Sequence, residues 1–224
     1  YYHKISKYRL SDIKPSINYE YTNGSTCIVY KTNEYITKKI NKWAELNSSM
    51  KELIFCMNLD HPNIGKISNA YYKNHDLYFV MEYYGKTLAN INMKTINNDR
   101  KHILCTELIN GLNYIHKSNI VHRDLSIWNI CYNHFDTRII DFSSSCLFSE
   151  HTSNYDLVCI SNYRPFDVHM GNTLHLPSFD VWSLGCVIYY VHTGLELFNY
   201  DPDDNIVIEN ILFKLGGPNN IRDK

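Results

Sequence analysis

From Tyr19 the chain contains short runs of aromatic and β-branched residues, a composition typical of β-strands. Short apolar runs begin at Tyr19, Cys27 and Tyr35, and polar turns rich in Thr, Asn and Gly separate them. Because strands joined by short turns pair with their neighbours, this pattern predicts an antiparallel meander over residues 19–38. Residues 1–18 are polar and basic, and they predict no element.

Two longer segments carry the 3.6-residue period of amphipathic helices, in which the apolar stripe faces the core. In residues 47–60 the stripe consists of Met50, Leu53, Ile54 and Met57. In residues 100–116 it consists of Leu104, Leu108, Leu112 and Ile115. We therefore predict one helix over each segment.

Two further pairs of apolar runs predict hairpins. Residues 70–72 and 77–81 flank one polar turn, and residues 130–132 and 138–140 flank the other. The second hairpin ends directly before Asp141, so we expect this aspartate at the end of a strand.

The composition limits the classes of partner. The 224 residues contain 22 Lys and Arg against 23 Asp and Glu, and this balance gives no general attraction to nucleic acid or to an acidic membrane. The seven cysteines contain no C-x-x-C pair, so we expect reduced core thiols in an intracellular protein of the cytoplasm or nucleus. No signal peptide is recognisable, and the most apolar window, residues 181–191, is too short to span a bilayer.

Candidate chemistry lies in residues 121–142. Asp124, Asn129 and Asp141 follow one another closely and are bounded by short apolar runs. An aspartate can accept the proton of an attacking hydroxyl, while an amide oxygen and a second carboxylate can hold magnesium against a polyphosphate. This arrangement suits phosphoryl transfer. The alternative is a set of scattered surface carboxylates in a chain rich in Asp and Asn.

Several motifs resemble those of eukaryotic protein kinases. Residues 122–129, followed by Asp141-Phe142, resemble the H-R-D-L-x-x-x-N catalytic loop and the metal-binding D-F motif. Residues 179–186 and 211–219 resemble two C-lobe segments, and the likeness is closest to the cyclin-dependent kinase-like group. The resemblance implies a bilobal α+β fold.

The implied lobes divide the chain near residue 83. A small β-rich N-lobe with one helix is expected at about residues 19–82, and a mainly helical C-lobe at about 85–224. The C-lobe is expected to be incomplete at its C-terminal end.

The resemblance also implies a catalytic set. Asp124 would be the catalytic base, and Asn129 and Asp141 would bind Mg²⁺. Lys38 takes the place of the lysine that pairs with the α- and β-phosphates of ATP. Glu52 takes the place of the helix glutamate that orients this lysine.

Two alternatives stay open for this pair. Lys39 competes with Lys38 for the strand position that faces the cleft. Ser49-x-x-Glu52 also fits a capping box, in which the glutamate only satisfies a backbone amide.

Further residues are implied around the catalytic set. Those expected against ATP are Tyr21, Gly24, Val29, Ile36, Lys38, Met81, Glu82, Tyr84 and Cys131. Those expected to support or regulate the cleft are His122, Arg123, Phe142, Tyr155, Asp167 and Asp180. Tyr155 stands at the place of an activating threonine, and Asp180 is expected to cap backbone amides of the catalytic loop.

Four positions depart from the family pattern. Ser126 replaces a lysine, and Ser143 replaces a glycine, which costs ~1 kcal/mol if a positive φ is required there. Ile36 replaces an alanine, and Asp167 replaces a glutamate. Gly24 is the one glycine retained from the glycine-rich loop.

The expected function is transfer of the ATP γ-phosphate to Ser or Thr of protein substrates, with Mg²⁺ as the metal. Residues 46–57 resemble the helix that docks cyclins, so a cyclin-like activator is expected there. One alternative is a pseudokinase that acts as a binding or scaffold module. Another is a small-molecule phosphotransferase, against which Arg123 and residues 182–185 argue.

Overall fold

The computed structural model describes residues 20–23, 27–40, 46–73, 76–148, 159–172, 174 and 176–216. The expectations for residues 1–18, Gly24, Tyr155 and residues 217–224 lie outside these ranges. Within the ranges, no helix combines the length and the apolar character needed to cross a membrane.

The N-terminal lobe contains a five-stranded antiparallel sheet. β1 (Glu20–Asn23), β2 (Cys27–Lys31) and β3 (Tyr35–Ile40) form the predicted meander. β4 (Ile67–Lys73) and β5 (Asp76–Glu82) form the predicted hairpin. Because β5 also pairs with β3, the strand order is β1-β2-β3-β5-β4.

The helix of this lobe, α1 (Leu46–Asn58), turns a different face to the core than its apolar stripe predicts. Over residues 48–58, the part of the helix whose side chains are described, the buried side chains are Ser49, Glu52, Leu53 and Cys56. Ile54 is 43% exposed, so its expected burial is wrong. The buried face is rotated by one residue, or ~100° about the helix axis. A polar contact of Glu52, described below, accounts for this rotation.

The C-terminal lobe is mainly helical, as predicted. Its helices are α2 (Asn98–Lys117), α3 (Phe166–His169), α4 (Pro177–Thr193) and α5 (Asp204–Leu215). The side chain of Asn97 accepts a hydrogen bond from the N–H of Arg100 at 2.8 Å, which caps the start of α2. The predicted α2 stripe is buried at Leu104, Leu108, Leu112 and Ile115.

Short strands hold the catalytic loop between the lobes. β6 (Lys86–Thr87), β8 (Ile130–Tyr132) and β9 (Thr137–Ile139) form one antiparallel sheet, in which β8 and β9 are the predicted second hairpin. β7 (Ile120–Val121) pairs with β10 (Cys146–Leu147). The loop of residues 122–129 is therefore anchored at both ends, and Asp141 follows β9.

Candidate active site

The backbone of the catalytic loop is held by one buried carboxylate. Asp180, in the first turn of α4, is fully buried and accepts hydrogen bonds from the backbone N–H groups of His122 and Arg123, both at 2.8 Å. The Nε2 atom of His116 lies 2.9 Å from the same carboxylate. Arg123 has a φ of 65°, which side chains other than glycine rarely adopt. Asp180 thus stabilises an unfavourable turn directly before Asp124.

Two side chains of the loop tie it to the segment that contains Asp141. The Nε–H of Arg123 donates to the carbonyl oxygen of Ser144 at 2.6 Å. His122 Nε2 lies 3.1 Å from the carbonyl oxygen of Ile140, and the His122 ring lies 4.9 Å from the Phe142 ring. Burial lowers the pKa of His122, so the imidazole is neutral at pH 7 and its Nε2–H donates a hydrogen bond to this carbonyl.

Asp124 and Asn129 are hydrogen-bonded within the loop. The Nδ2 of Asn129 donates to the Asp124 backbone carbonyl at 2.8 Å and to its Oδ2 at 2.9 Å. Burial, reinforced by the negative charge of Asp141 and opposed by the Asn129 hydrogen bond, raises the pKa of Asp124 to about 7. A carboxylate with this pKa is suited to accept a proton near neutral pH.

Lys38 joins the two lobes through a pair of carboxylates. Its Nζ lies 2.8 and 3.0 Å from the two carboxylate oxygens of Glu52, and 3.4 Å from Oδ2 of Asp141. Burial raises the pKa of Glu52 to about 7, against the opposing charge of Lys38. The contacts of Lys38 bring β3, α1 and Asp141, which lies two residues after β9, to one place in the cleft.

Asp141 is fixed by a residue that departs from the family pattern. Its φ is 66°, and its Oδ1 accepts hydrogen bonds from the Ser143 hydroxyl at 2.6 Å and from the Ser143 backbone N–H at 3.2 Å. Burial raises the pKa of Asp141, but the charge of Lys38 and the two Ser143 hydrogen bonds outweigh it, so the pKa is lowered overall. Asp141 is therefore ionised at neutral pH.

The structure decides both alternatives for the lysine–glutamate pair. Lys39 forms an ion pair with Asp76 at 2.8 Å, while Lys38 contacts Glu52. Ser49 lies inside α1, which begins at Leu46, so it does not cap the helix start. The interpretation of Ser49-x-x-Glu52 as a capping box is therefore wrong.

The expectation of backbone strain at Ser143 is also wrong. Among the described residues, those with positive φ other than glycine are Asn119, Arg123, Asp141 and Cys159. Ser143 is not among them, so the conformational freedom of a glycine is not needed there. The strain lies two residues earlier, at Asp141.

The residues expected against the nucleotide lie on the strands around the cleft. Val29 pairs with Lys38, and Ile36 pairs with Met81 across the β3–β5 ladder. Tyr21 pairs through its backbone with Tyr30. Cys131 is buried on β8, opposite Thr87 of β6, whereas Glu82 is exposed at the end of β5.

The connection between the lobes is fixed by Tyr84. Its side chain is buried, and its hydroxyl accepts a hydrogen bond from the N–H of Lys66 at 3.0 Å. The guanidinium of Arg138 lies 4.6 Å from the centre of the Tyr84 ring. The preceding N–H, that of Tyr83, donates to the carbonyl oxygen of Glu34 at 2.8 Å. These contacts fix the segment that follows β5 between the two lobes.

Ser126 occupies a closed site in the middle of the loop. It is fully buried, and its hydroxyl has no hydrogen-bond partner among the residues that the structure describes. A buried hydroxyl of this kind cannot supply the positive charge of the family's lysine. Asp124 itself lines a groove of about 610 Å³, which is also bordered by Ser144, Ser161, Tyr200 and Asp201.

Asp167 lies at the surface in α3. Its carboxylate accepts a hydrogen bond from Nδ2 of Asn172 at 2.6 Å. The nearby buried arginine, Arg164, instead forms an ion pair with Asp204 of α5 at 2.7 Å. The described part of the C-lobe thus supplies Asp167 with an amide partner.

One residue that anchors the cleft was not predicted. Asn63 is buried, and its Nδ2 donates to the carbonyl oxygen of Thr137 at 3.1 Å. Its own carbonyl accepts from the N–H of Ile139 at 2.9 Å. These bonds attach the segment after α1 to the C-terminal lobe. The sequence offers a weak indication of this role, because Asn63 is a polar residue between Pro62 and the apolar Ile64.

The side chains of Asn129 and Asp141 fit a magnesium ion. Both provide oxygen, the ligand atom that Mg²⁺ prefers, and the two Asn129 hydrogen bonds to Asp124 turn its amide oxygen away from that carboxylate. No cluster of three His, Cys, Asp or Glu side chains suited to a metal occurs in the described ranges. Mg²⁺ does not need one, because it is usually held by one or two carboxylates together with phosphate oxygens.

Comparison with known proteins supports the resemblance to protein kinases. The family model for the protein kinase domain matches residues 20–218. Similar curated proteins include one named as a serine/threonine-protein kinase, from Acanthamoeba polyphaga mimivirus, at 32% identity over 182 residues. Another is cyclin-dependent kinase F-3 of Oryza sativa subsp. japonica, at 26% identity over 176 residues. The alignments cover 77% and 75% of this chain, but only 33% and 40% of those proteins.

A solved structure has the same fold. The yeast RNA Pol II CTD kinase CTDK-1 complex contains a chain that matches with a TM-score of 0.76 and 22% sequence identity, over 91% of this chain and 70% of that one. The predicted bilobal α+β fold and the kinase resemblance are confirmed. The chain belongs to the protein kinase domain family.

Proposed function

We propose that this chain transfers the γ-phosphoryl group of ATP to Ser or Thr hydroxyls of protein substrates. The observation that carries the proposal is the position of Lys38, whose Nζ lies 2.8 Å from Glu52 and 3.4 Å from Asp141. A single cation thereby holds the two lobes in the arrangement that phosphoryl transfer requires.

Each residue of the site has a separate role in this reaction. Lys38 contacts the phosphates, and Glu52 keeps it extended towards them. Asp124 accepts the proton of the substrate hydroxyl as its oxygen forms a bond to the γ-phosphorus and the bond to the bridging oxygen of ADP breaks. Asn129 and Asp141 would hold Mg²⁺, which neutralises charge on the phosphate oxygens. Catalysis then depends on positioning and on electrostatic stabilisation.

The groove beside Asp124 supports a protein substrate. It has a volume of about 610 Å³ and is bordered by residues from the catalytic loop and from the start of α5. A segment of polypeptide in this groove would present its hydroxyl to Asp124. The side chains that line the groove would determine which substrate sequences bind there.

A helical partner at α1 is part of the proposal. Ile54 is 43% exposed, and Met50 and Met57 are partly buried on the same helix. A cyclin-like activator that covers these apolar side chains would fix α1, and with it Glu52, against Lys38. The likeness of residues 46–57 to a cyclin-docking helix supports this choice of partner.

A second candidate function is nucleotide-dependent binding without efficient transfer. The observation that favours it is Ser126, whose buried hydroxyl replaces a lysine directed at the transferred phosphate. The retained Lys38, Glu52, Asp124, Asn129 and Asp141 favour transfer.

Phosphate incorporation into a peptide library tests the proposal. We expect the wild type to label Ser- or Thr-containing peptides, and we expect Asp124→Asn to lower the rate at least ~100-fold because the base is removed. Asp141→Asn is the matched control for the metal site. Equal incorporation by the wild type and both variants overturns the proposal. Stabilisation by Mg-ATP without transfer would establish the binding function instead.

A further inference from the structure

The contact between Ser143 and Asp141 goes beyond what a glycine at this position provides. A glycine offers only a backbone N–H, whereas Ser143 donates both its N–H and its hydroxyl to Oδ1 of Asp141, at 3.2 and 2.6 Å. The hydroxyl contact is the shorter, and its length is that of a charge-assisted O–H···O⁻ hydrogen bond.

Because of these two hydrogen bonds, the two carboxylate oxygens of Asp141 have different partners. A carboxylate oxygen has about two acceptor positions, and both Ser143 bonds fall on Oδ1. Oδ2 is 3.4 Å from Nζ of Lys38, a longer and weaker contact. Oδ2 is therefore the oxygen that remains open to a hard cation.

The same contact opposes rotation of the Asp141 side chain. Asp141 has a φ of 66°, a conformation that carries a steric cost for a residue with a Cβ atom. A side chain that hydrogen-bonds the backbone two residues later offsets this cost, and the Ser143 hydroxyl adds a second bond to it. Because Ser143 itself has no positive φ, its side chain introduces no strain of its own.

We propose that Ser143 is a positioning residue that directs Oδ2 of Asp141 towards the magnesium ion of the bound nucleotide. The inference rests on the proposed function, since it assumes that Asp141 is a magnesium ligand. On this proposal, the serine that replaces the family's glycine determines which carboxylate oxygen of Asp141 binds the metal.

The test compares Ser143→Ala, Ser143→Thr and Ser143→Gly in the full chain. Binding of a non-hydrolysable ATP analogue is measured by calorimetry with and without Mg²⁺, alongside kcat and KM for ATP. We expect Ser143→Ala and Ser143→Gly to weaken magnesium-dependent binding ~10-fold, as expected for loss of a hydrogen bond to a charged group. Ser143→Thr keeps the hydroxyl and should stay within about twofold of the wild type. Binding without Mg²⁺ should be the same in all four proteins.

Five outcomes of this experiment are distinguished. Weaker binding with Mg²⁺ alone, together with rescue by threonine, supports the positioning role. Equal weakening with and without Mg²⁺ shows a general structural defect and overturns it, as does tighter binding by Ser143→Ala. If only Ser143→Gly is weaker, chain flexibility is responsible and the hydroxyl is not. If the wild type shows no magnesium-dependent binding, the proposed function fails and this inference fails with it.

Discussion

Glu52 and Asp180 are both buried carboxylates, with exposures of 2% and 0%, but they are satisfied in different ways. Asp180 accepts two backbone N–H groups at 2.8 Å and lies 2.9 Å from His116, all within the C-terminal lobe. Among the described residues, the cationic partner of Glu52 is Lys38, which lies on β3 of the sheet and not on α1. The first arrangement is part of a rigid backbone, and the second depends on where α1 lies.

The difference separates two kinds of support for the proposed reaction. The Asp180 contacts define the shape of the loop that carries Asp124, and they involve the C-terminal lobe alone. The Glu52 contact can be lost without leaving a buried charge, because burial raises the pKa of Glu52 to about 7 and the group can take up a proton instead. For the proposed function, we therefore expect regulation of the site to act through Glu52.

The largest effect is expected from Asp180→Ala. This change leaves the N–H groups of His122 and Arg123 buried without partners, so we expect it to lower the free energy of unfolding by about 3–5 kcal/mol. Urea unfolding measures the loss. If Asp180→Ala does not fold, Asp180→Asn retains one acceptor and should show a smaller loss.

The matched control is Asp60→Ala. The side chain of Asp60 is 86% exposed and pairs with Lys66 at the surface, so we expect a change of less than ~0.5 kcal/mol. If the Asp180→Ala protein is as stable as the Asp60→Ala protein, Asp180 does not support the loop backbone, and its contrast with Glu52 is lost.

A smaller, pH-dependent effect is expected from Glu52 in the nucleotide-free protein. Its pKa rises from 4.5 in an unperturbed carboxyl to about 7 in the fold, so folding takes up a proton between these values. The Glu52 contribution to stability is therefore full below pH 4.5 and is lost as the pH rises towards 7, by up to ~1.4 kcal/mol per pH unit.

Unfolding of the wild type and of Glu52→Gln between pH 4.5 and 7.5 checks this slope. Subtracting the two free energies cancels the contributions of other titrating groups. We expect the free energy of unfolding of the wild type to fall relative to that of Glu52→Gln as the pH rises. A difference that is constant with pH, or that moves the other way, contradicts the buried, proton-binding state of Glu52.

The fold was predictable where burial follows the apolar pattern. The α2 stripe from Leu104 to Ile115 is buried as expected, because its apolar side chains form one face that packs into the core. In α1 the same rule fails at Ile54. The ion pair between Lys38 and Glu52 draws a polar position into the core and turns Ile54 outward.

The candidate site was predictable by resemblance, and its fine geometry was not. The family pattern points to Asp180 and to Lys38, whose contacts the structure contains. It points away from Ser143, because a glycine at that position has no side chain to donate. Only the structure shows that the Ser143 hydroxyl reaches Oδ1 of Asp141, since the residue type alone does not set the orientation of a hydroxyl.

The smallest effect on stability is expected from Ile54→Lys, which tests whether α1 is free to be moved by a partner. Ile54 is 43% exposed, so we expect the free energy of unfolding to change by less than ~0.5 kcal/mol. Its neighbour Leu53 is only 4% exposed, and Leu53→Ala should cost about 2–5 kcal/mol because it leaves a cavity. Urea unfolding of both variants makes the comparison within one helix.

A large loss in Ile54→Lys would mean that the outer face of α1 is packed within this chain. Glu52 would then be as firmly placed as Asp180, and the contrast between them would disappear. Retained stability would leave an apolar side chain at the surface of the helix that positions Lys38. A partner that covers this surface would fix the position of α1, and with it the distance between Lys38 and Glu52.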